Sequence, residues 1–136
     1  MEKDNTNVEV IIQHISPNKG QNYSLRICGN NTVEYNGSSN VKTLGKHISK
    51  VTPEELQSII FQFENYYFFS FKDSYEPSNQ SKTQYQQQTI VSIRLGQKFK
   101  KITYVEDGNF APPAVKYLVK TIEKITKVDQ LSGTSN

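Results

Sequence analysis

Apolar residues change their period several times along this chain, and each change marks an element. From Val8 to Ile15 the residues alternate: Val8, Val10, Ile12 and His14 share one face, and Glu9, Ile11, Gln13 and Ile15 share the other. A period of two predicts a strand. Ser16 to Asn22 is loop chemistry. Tyr23–Cys28 and Thr32–Tyr35 then read as a hairpin. A three-residue loop, Gly29-Asn30-Asn31, sets Ile27 against Val33 and Leu25 against Tyr35, so that Tyr23, Leu25, Ile27, Val33 and Tyr35 share a face. A two-residue Asn30-Asn31 turn would split that face. Register follows the buried face, so the longer loop is predicted, with Asn31 in the left-handed region that asparagine tolerates.

Asn36–Asn40 reads as a turn, and Val41–Lys50 as a further strand interrupted at Gly45. Thr52, Pro53 and Glu55 then stand at the N-cap, N1 and N3 positions of a capping box, with Val51 and Leu56 placed as a hydrophobic staple. Leu56, Ile59, Ile60 and Phe63 follow helical spacing. After Tyr66 the period shortens again, with Tyr67, Phe69 and Phe71 on one side of an extended piece. Gln87–Leu95 and Lys98–Val105 form a last hairpin around Gly96-Gln97, which suits a type II′ turn. Val91, Ile93, Leu95, Ile102 and Tyr104 share its buried face, and Lys100 interrupts that face near the turn, where a long side chain can reach water. A second helix starts near Pro112. Its apolar face is Val115, Leu118, Val119, Ile122 and Ile125, and Lys116, Lys120, Lys124 and Lys127 run along the opposite side.

Together these elements predict one α+β domain: an antiparallel sheet of about five to six strands with two helices packed on one face. Residues 8–130 form the single domain, and residues 1–7 and 131–136 read as disordered tails. The 136-residue length suits one domain. Roughly two thirds of the unfolded surface can be buried at this size, so a core needs neither metal nor disulfide. Cys28 is the only cysteine. Sequons occur at Asn22, Asn30, Asn36 and Asn79, and the first residues carry no apolar export segment. With no long apolar run, the expectation is a cytoplasmic protein that does not engage membrane.

Charge and chemistry narrow the function classes. The net charge is +3. From Arg94 to Lys127, eight Lys or Arg face three acidic residues, which leaves the remainder slightly acidic. His14 and His47 stand 33 positions apart with no ligand at short spacing, so no metal is expected. No nucleotide-phosphate motif or nucleophile elbow occurs, and no cofactor is implied. Cys28 lies beside Arg26, which could lower a thiol pKa, but a small strand residue is the simpler reading. Four carboxylates, Glu54, Glu55, Asp73 and Glu76, flank the aromatic run. Helix capping accounts for Glu55, and Glu54 suits a helix N-terminus.

Eight of the fifteen aromatic residues lie between Phe61 and Tyr75. Burying a Phe side chain stabilises a fold by about 1.5–3 kcal/mol. Phe63, Phe69 and Phe71 are therefore predicted core. Tyr66, Tyr67, Phe68 and Tyr75 are surplus, and with Asp73 and Tyr85 they make the candidate contact surface of a non-catalytic binding or protein-interaction module. That surface would include the Pro77–Gln86 loop and engage a protein partner. Nucleic-acid binding through Lys116, Lys120, Lys124 and Lys127 is the alternative. Its weakness is that cations and aromatics are not interleaved, as single-strand binders require. An enzyme with a carboxylate pair near Asp73 and Glu76 is the third reading.

The order of these motifs resembles a prokaryotic family of small domains of unknown function. Tyr23, Leu25, Ile27, Val33, Tyr35 and Gly37 match its Y-x-[LV]-x-I-x-x-D-G-x-V-x-Y-x-G hairpin, with Asn30-Asn31 in place of Asp-Gly. Phe68, Phe71, Asp73 and Tyr75 match its F-x-x-L-x-D-x-Y stretch. Ser16 and Gly20 stand where that family has two cysteines, Gln21 replaces a proline, and no acidic residue occurs near Tyr85. The resemblance spans about Val8 to Val128. It implies the sheet-and-helix fold and a closing hairpin and helix; it implies no activity.

Overall fold

The computed structural model describes residues 7–17, 20–76, 87–106 and 110–133. Seven strands form one sheet: β1 (Val8–Ile15), β2 (Asn22–Cys28), β3 (Thr32–Ser39), β4 (Gly45–Lys50), β5 (Ser74–Tyr75), β6 (Gln88–Leu95) and β7 (Lys98–Val105). The helices are α1 (Pro53–Asn65), α2 (Pro113–Thr126) and the short α3 (Val128–Ser132), with a 3-10 turn at Phe68–Ser70. The sheet order is β4-β3-β2-β1-β6-β7-β5.

This architecture corrects the expected one. The sheet has seven strands and is mixed, because β5 pairs with β7 in parallel through Ser74↔Thr103 and Tyr75↔Tyr104. Among the described residues there are also three helices. The chain leaves β4 at one edge and passes through α1, and Ser74 then reaches the other edge. No local period announces so short a strand, since its pairing is entirely long-range. The NGSSN stretch is also not a turn: β3 runs on through Ser39, paired to β2 with an irregularity between Asn22 and Tyr23. Leu131 and Ser132, read as the start of a tail, lie in α3. Their carbonyls accept from Thr43 N (2.8 Å) and Lys42 N (3.1 Å).

The first hairpin has the register set by its apolar face, with Leu25↔Tyr35 and Ile27↔Val33, and Asn31 has φ 74°. Leu95 pairs with Lys98 across Gly96-Gln97. Gly96 has φ 63° and Gln97 is not left-handed, the combination that defines a type II′ turn. Gly37 is required by close approach: Tyr35 donates its hydroxyl to Thr43 O at 2.8 Å, and a Cβ at position 37 would overlap both groups.

α1 begins with the full capping box. Glu55 N donates to Thr52 Oγ1 (3.0 Å), and Thr52 N donates to Glu55 Oε1 (2.8 Å). Such a cap contributes about 1 kcal/mol. Leu56, Ile59, Ile60 and Phe63 of α1 are buried. They join Val115, Leu118, Val119 and Ile122 of α2, Val128 of α3 and the inward strand residues in one core cluster. The opposite sheet face carries a charged ladder, in which Arg26 bridges Glu9 (2.6 Å) and Glu34 (3.3 Å).

The aromatic run packs differently from its alternating pattern. Tyr67 adopts φ 55° and reverses the chain after α1. Phe68 therefore turns inward and is fully buried, edge-to-face on Phe63 at 4.9 Å, while Phe69 and Phe71 are half-buried against the core. Lys100 reaches the surface as expected, where its Nζ meets the exposed Asp73 Oδ1 at 2.7 Å. Phe68→Ala is expected to cost about 3–5 kcal/mol in urea unfolding, and Phe71→Ala clearly less. The reverse order would place Phe71 in the inner layer instead.

Candidate functional site

A single row of residues crosses all seven strands near one end of the sheet. Its register runs Gly45↔Gly37↔Tyr23↔His14↔Thr89↔Tyr104↔Tyr75. The adjacent row, Leu25↔Ile12↔Val91↔Ile102, is wholly apolar and buried. In the first row, by contrast, Tyr23, His14, Thr89 and Tyr104 are buried and polar. α2 passes near these four and contributes a buried carboxylate, Glu123. Glu106, just after β7, supplies a second.

The hydrogen bonds form a directed chain. His14 Nε2 lies 2.6 Å from Glu123 Oε2, which also accepts from the Tyr23 hydroxyl at 2.8 Å. On the other side of the ring, Nδ1 lies 3.1 Å from Thr89 Oγ1 and 3.5 Å from Glu106 Oε2. Thr89 donates to Glu106 and lies beside Nδ1, and Nε2 faces the Glu123 carboxylate, an arrangement that favours a ring protonated on both nitrogens.

The electrostatics agree. Burial pushes the His14 pKa down, but hydrogen bonds to Glu106 and Glu123 and their charges outweigh it, and the pKa rises to about 9. Burial also opposes ionisation of Glu106. The hydrogen bonds from His14 and Thr89, with the charges of His14 and Lys116, nevertheless hold its carboxyl below the ordinary value. The Tyr104 phenol is pushed up by burial and by the Glu106 charge.

Beside this cluster lies a cavity of about 310 Å³. Its lining includes His14, Tyr23, Tyr104, Glu106 and Glu123, and also Lys116, Lys120 and Lys124 of α2. Gln21, Gln87 and Asp129 complete the polar wall. Three of the four lysines expected on a plain solvated face thus border a concavity. Lys116 is half-buried and donates to Glu106 O at 3.2 Å. Lys127 ends α2 with φ 65° and is not part of the lining.

The expected aromatic platform is dispersed. Tyr66 is half-buried and meets Tyr117 edge-on at 6.1 Å. Tyr67 is 76 % exposed, whereas Phe68 is in the core. Tyr75 is half-buried, and its hydroxyl accepts from Lys72 N at 2.9 Å. Tyr85 and the Pro77–Gln86 loop lie outside the described residues. Asp73 pairs with Lys100, and Glu76 accepts from Ser74 Oγ at 2.7 Å, so each of these two carboxylates has its own neighbour. Cys28 is half-buried on the outer sheet face. Its thiol pKa is raised by burial, against the opposing charge of Arg26. Among the described residues no group of three His, Cys, Asp or Glu is arranged to hold a metal ion.

Two signals could have found the cluster. His14 continues the Val8, Val10, Ile12 face, and Glu123 falls eight residues after Val115, on the buried stripe of α2. Each is an ionisable residue at an apolar position. Only the meeting of β1 and α2 makes them partners.

The chain is thus a mixed-sheet domain covered by helices, with a buried ionic cluster at the wall of a polar cavity. It belongs to the DUF6438 family, a domain of unknown function, whose profile matches residues 18–126. The matched span stops short of β1, which carries His14 and lies between β2 and β6 inside the sheet. A search of curated proteins finds no match.

The pH dependence of stability follows from the shifts. His14 binds its proton more tightly when folded, so its contribution is complete below pH 6.5 and is lost as pH rises through about 9. Glu106 is shifted down, so its contribution holds above the ordinary carboxylate value and is lost on acidification. Urea unfolding is expected to show stability falling by on the order of 1 kcal/mol per pH unit between those two limits. The slope should vanish in His14→Gln. A wild-type profile flat over that range would mean that His14 is neutral.

Proposed function

We propose that this domain is a non-catalytic binding module that takes a small anionic molecule, carrying a carboxylate or phosphate, in the cavity beside α2. The balance of charge around the cavity carries this reading. At its wall, His14 and Lys116 offset Glu106 and Glu123. Lys120 and Lys124 stand one helical turn apart on the rim and make no ion pair among the described residues. Asp129 offsets one of them, so the site as a whole favours an anion. A concave, partly desolvated setting strengthens such contacts over those on an open surface.

Among the described residues no activated nucleophile borders the cavity, which favours binding over catalysis. Thr89 is fully buried and its proton is committed to Glu106. Cys28 lies on the other face of the sheet with its thiol pKa raised. The ionised groups of the cluster satisfy one another, which suits a rigid wall better than a proton relay.

Calorimetry of the whole chain with inorganic phosphate and with citrate tests this reading. Binding is expected to weaken as salt rises. It should drop by about ten-fold or more in the Lys120→Glu, Lys124→Glu double variant, because each charged hydrogen bond is worth roughly 1.5–3 kcal/mol. Equal affinity in that variant, or a response to single-stranded oligonucleotide far exceeding that to both anions, would overturn the small-ligand reading.

A further inference from the structure

The two edges of the sheet are unlike. β5 offers two residues. β4 offers six, every one exposed, and pairs only with β3. β4 contributes no residue to the cavity, so its exposure is a separate matter. Its outer-face residues are Lys46, Ile48 and Lys50, opposite Asn36, Glu34 and Thr32. Ile48 is 58 % exposed, and Leu44, just before the strand, is 62 % exposed. Glu34 is already paired to Arg26, and Lys46 and Lys50 make no ion pair among the described residues. Among the described residues the outer side of β4 has no strand partner, and the strand bears a cation–apolar–cation pattern.

Lysines on an edge discourage indiscriminate strand pairing. They do so selectively. A second copy paired antiparallel about Ile48 would set Lys46 against Lys50 twice, and like charges directly opposite destabilise a ladder. A strand with acidic residues at those positions gains where a copy loses.

We infer that β4 is a docking edge for an extended acidic segment of another protein, which adds as an eighth strand with the order acidic–apolar–acidic facing Lys46, Ile48 and Lys50. Main-chain hydrogen bonds supply much of the affinity in this mode, and alternate side chains supply the selection.

The test uses the isotope-labelled full chain and a capped peptide with Glu, Val and Glu on one face and Thr between them. Amide shifts are expected to concentrate on β4 and β3. The Lys46→Glu, Lys50→Glu variant, altered only at exposed positions, should bind that peptide about ten-fold more weakly. The same variant should gain affinity for the counterpart peptide carrying Lys, Val and Lys. Shifts away from β4, no response to the acidic peptide at low salt, or affinity indifferent to the charge reversal would each overturn the inference. So would concentration-dependent dimers that the double variant alters, since these would make a second copy the occupant.

Discussion

The contact between His14 and Glu123 sets the arrangement of the cavity wall. Two buried ions are costly to desolvate, and they persist only when geometry and further hydrogen bonds repay that cost. Here each has such bonds. Glu123 also receives the Tyr23 hydroxyl, and the far side of His14 is closed by Thr89 and Glu106. The pair joins an inner strand of the sheet to α2 across 109 positions of sequence. It pins the helix in rotation as well as in place, because a turn of α2 about its axis would withdraw Glu123 from the ring. That rotation brings Lys116, Lys120 and Lys124 to the cavity.

The apolar core would seat α2 without this pin, but less precisely. Val115, Leu118, Val119 and Ile122 define a broad face, and hydrophobic burial is not directional. A hydrogen-bonded ion pair is. The division of labour is spatial as well. The row Leu25–Ile12–Val91–Ile102 is apolar, while the row through His14 carries the polar groups. The cavity opens at that last row, where polar groups are within reach of solvent.

Much of the fold was legible because it is local. The β2–β3 register follows from one comparison of loop lengths, since only one choice keeps Leu25, Ile27, Val33 and Tyr35 together. The start of α1 follows from Thr52, Pro53, Glu55 and the staple residues. The errors fall where local pattern conflicts with tertiary context. Alternation points Phe68 outward, but one left-handed residue, Tyr67, turns it into the core. Asn36–Ser39 looks like a turn by composition, yet it pairs along β2 because the sheet supplies its hydrogen bonds. β5 could not be seen at all in two residues.

The site was barely legible, for a related reason. The strand period places His14 on an apolar face and the helical period places Lys116, Lys120 and Lys124 on one stripe, but no local pattern gives Glu123 a partner. What the chain determined by itself was each element's buried side, because side-chain period follows directly from backbone geometry. What tertiary structure alone decided was which buried sides meet. The protonated imidazole, the lowered carboxyl of Glu106 and the lysine-rimmed cavity exist only where β1, β6, β7 and α2 converge, since Coulomb and hydrogen-bond energies depend on distances that no sequence spacing contains.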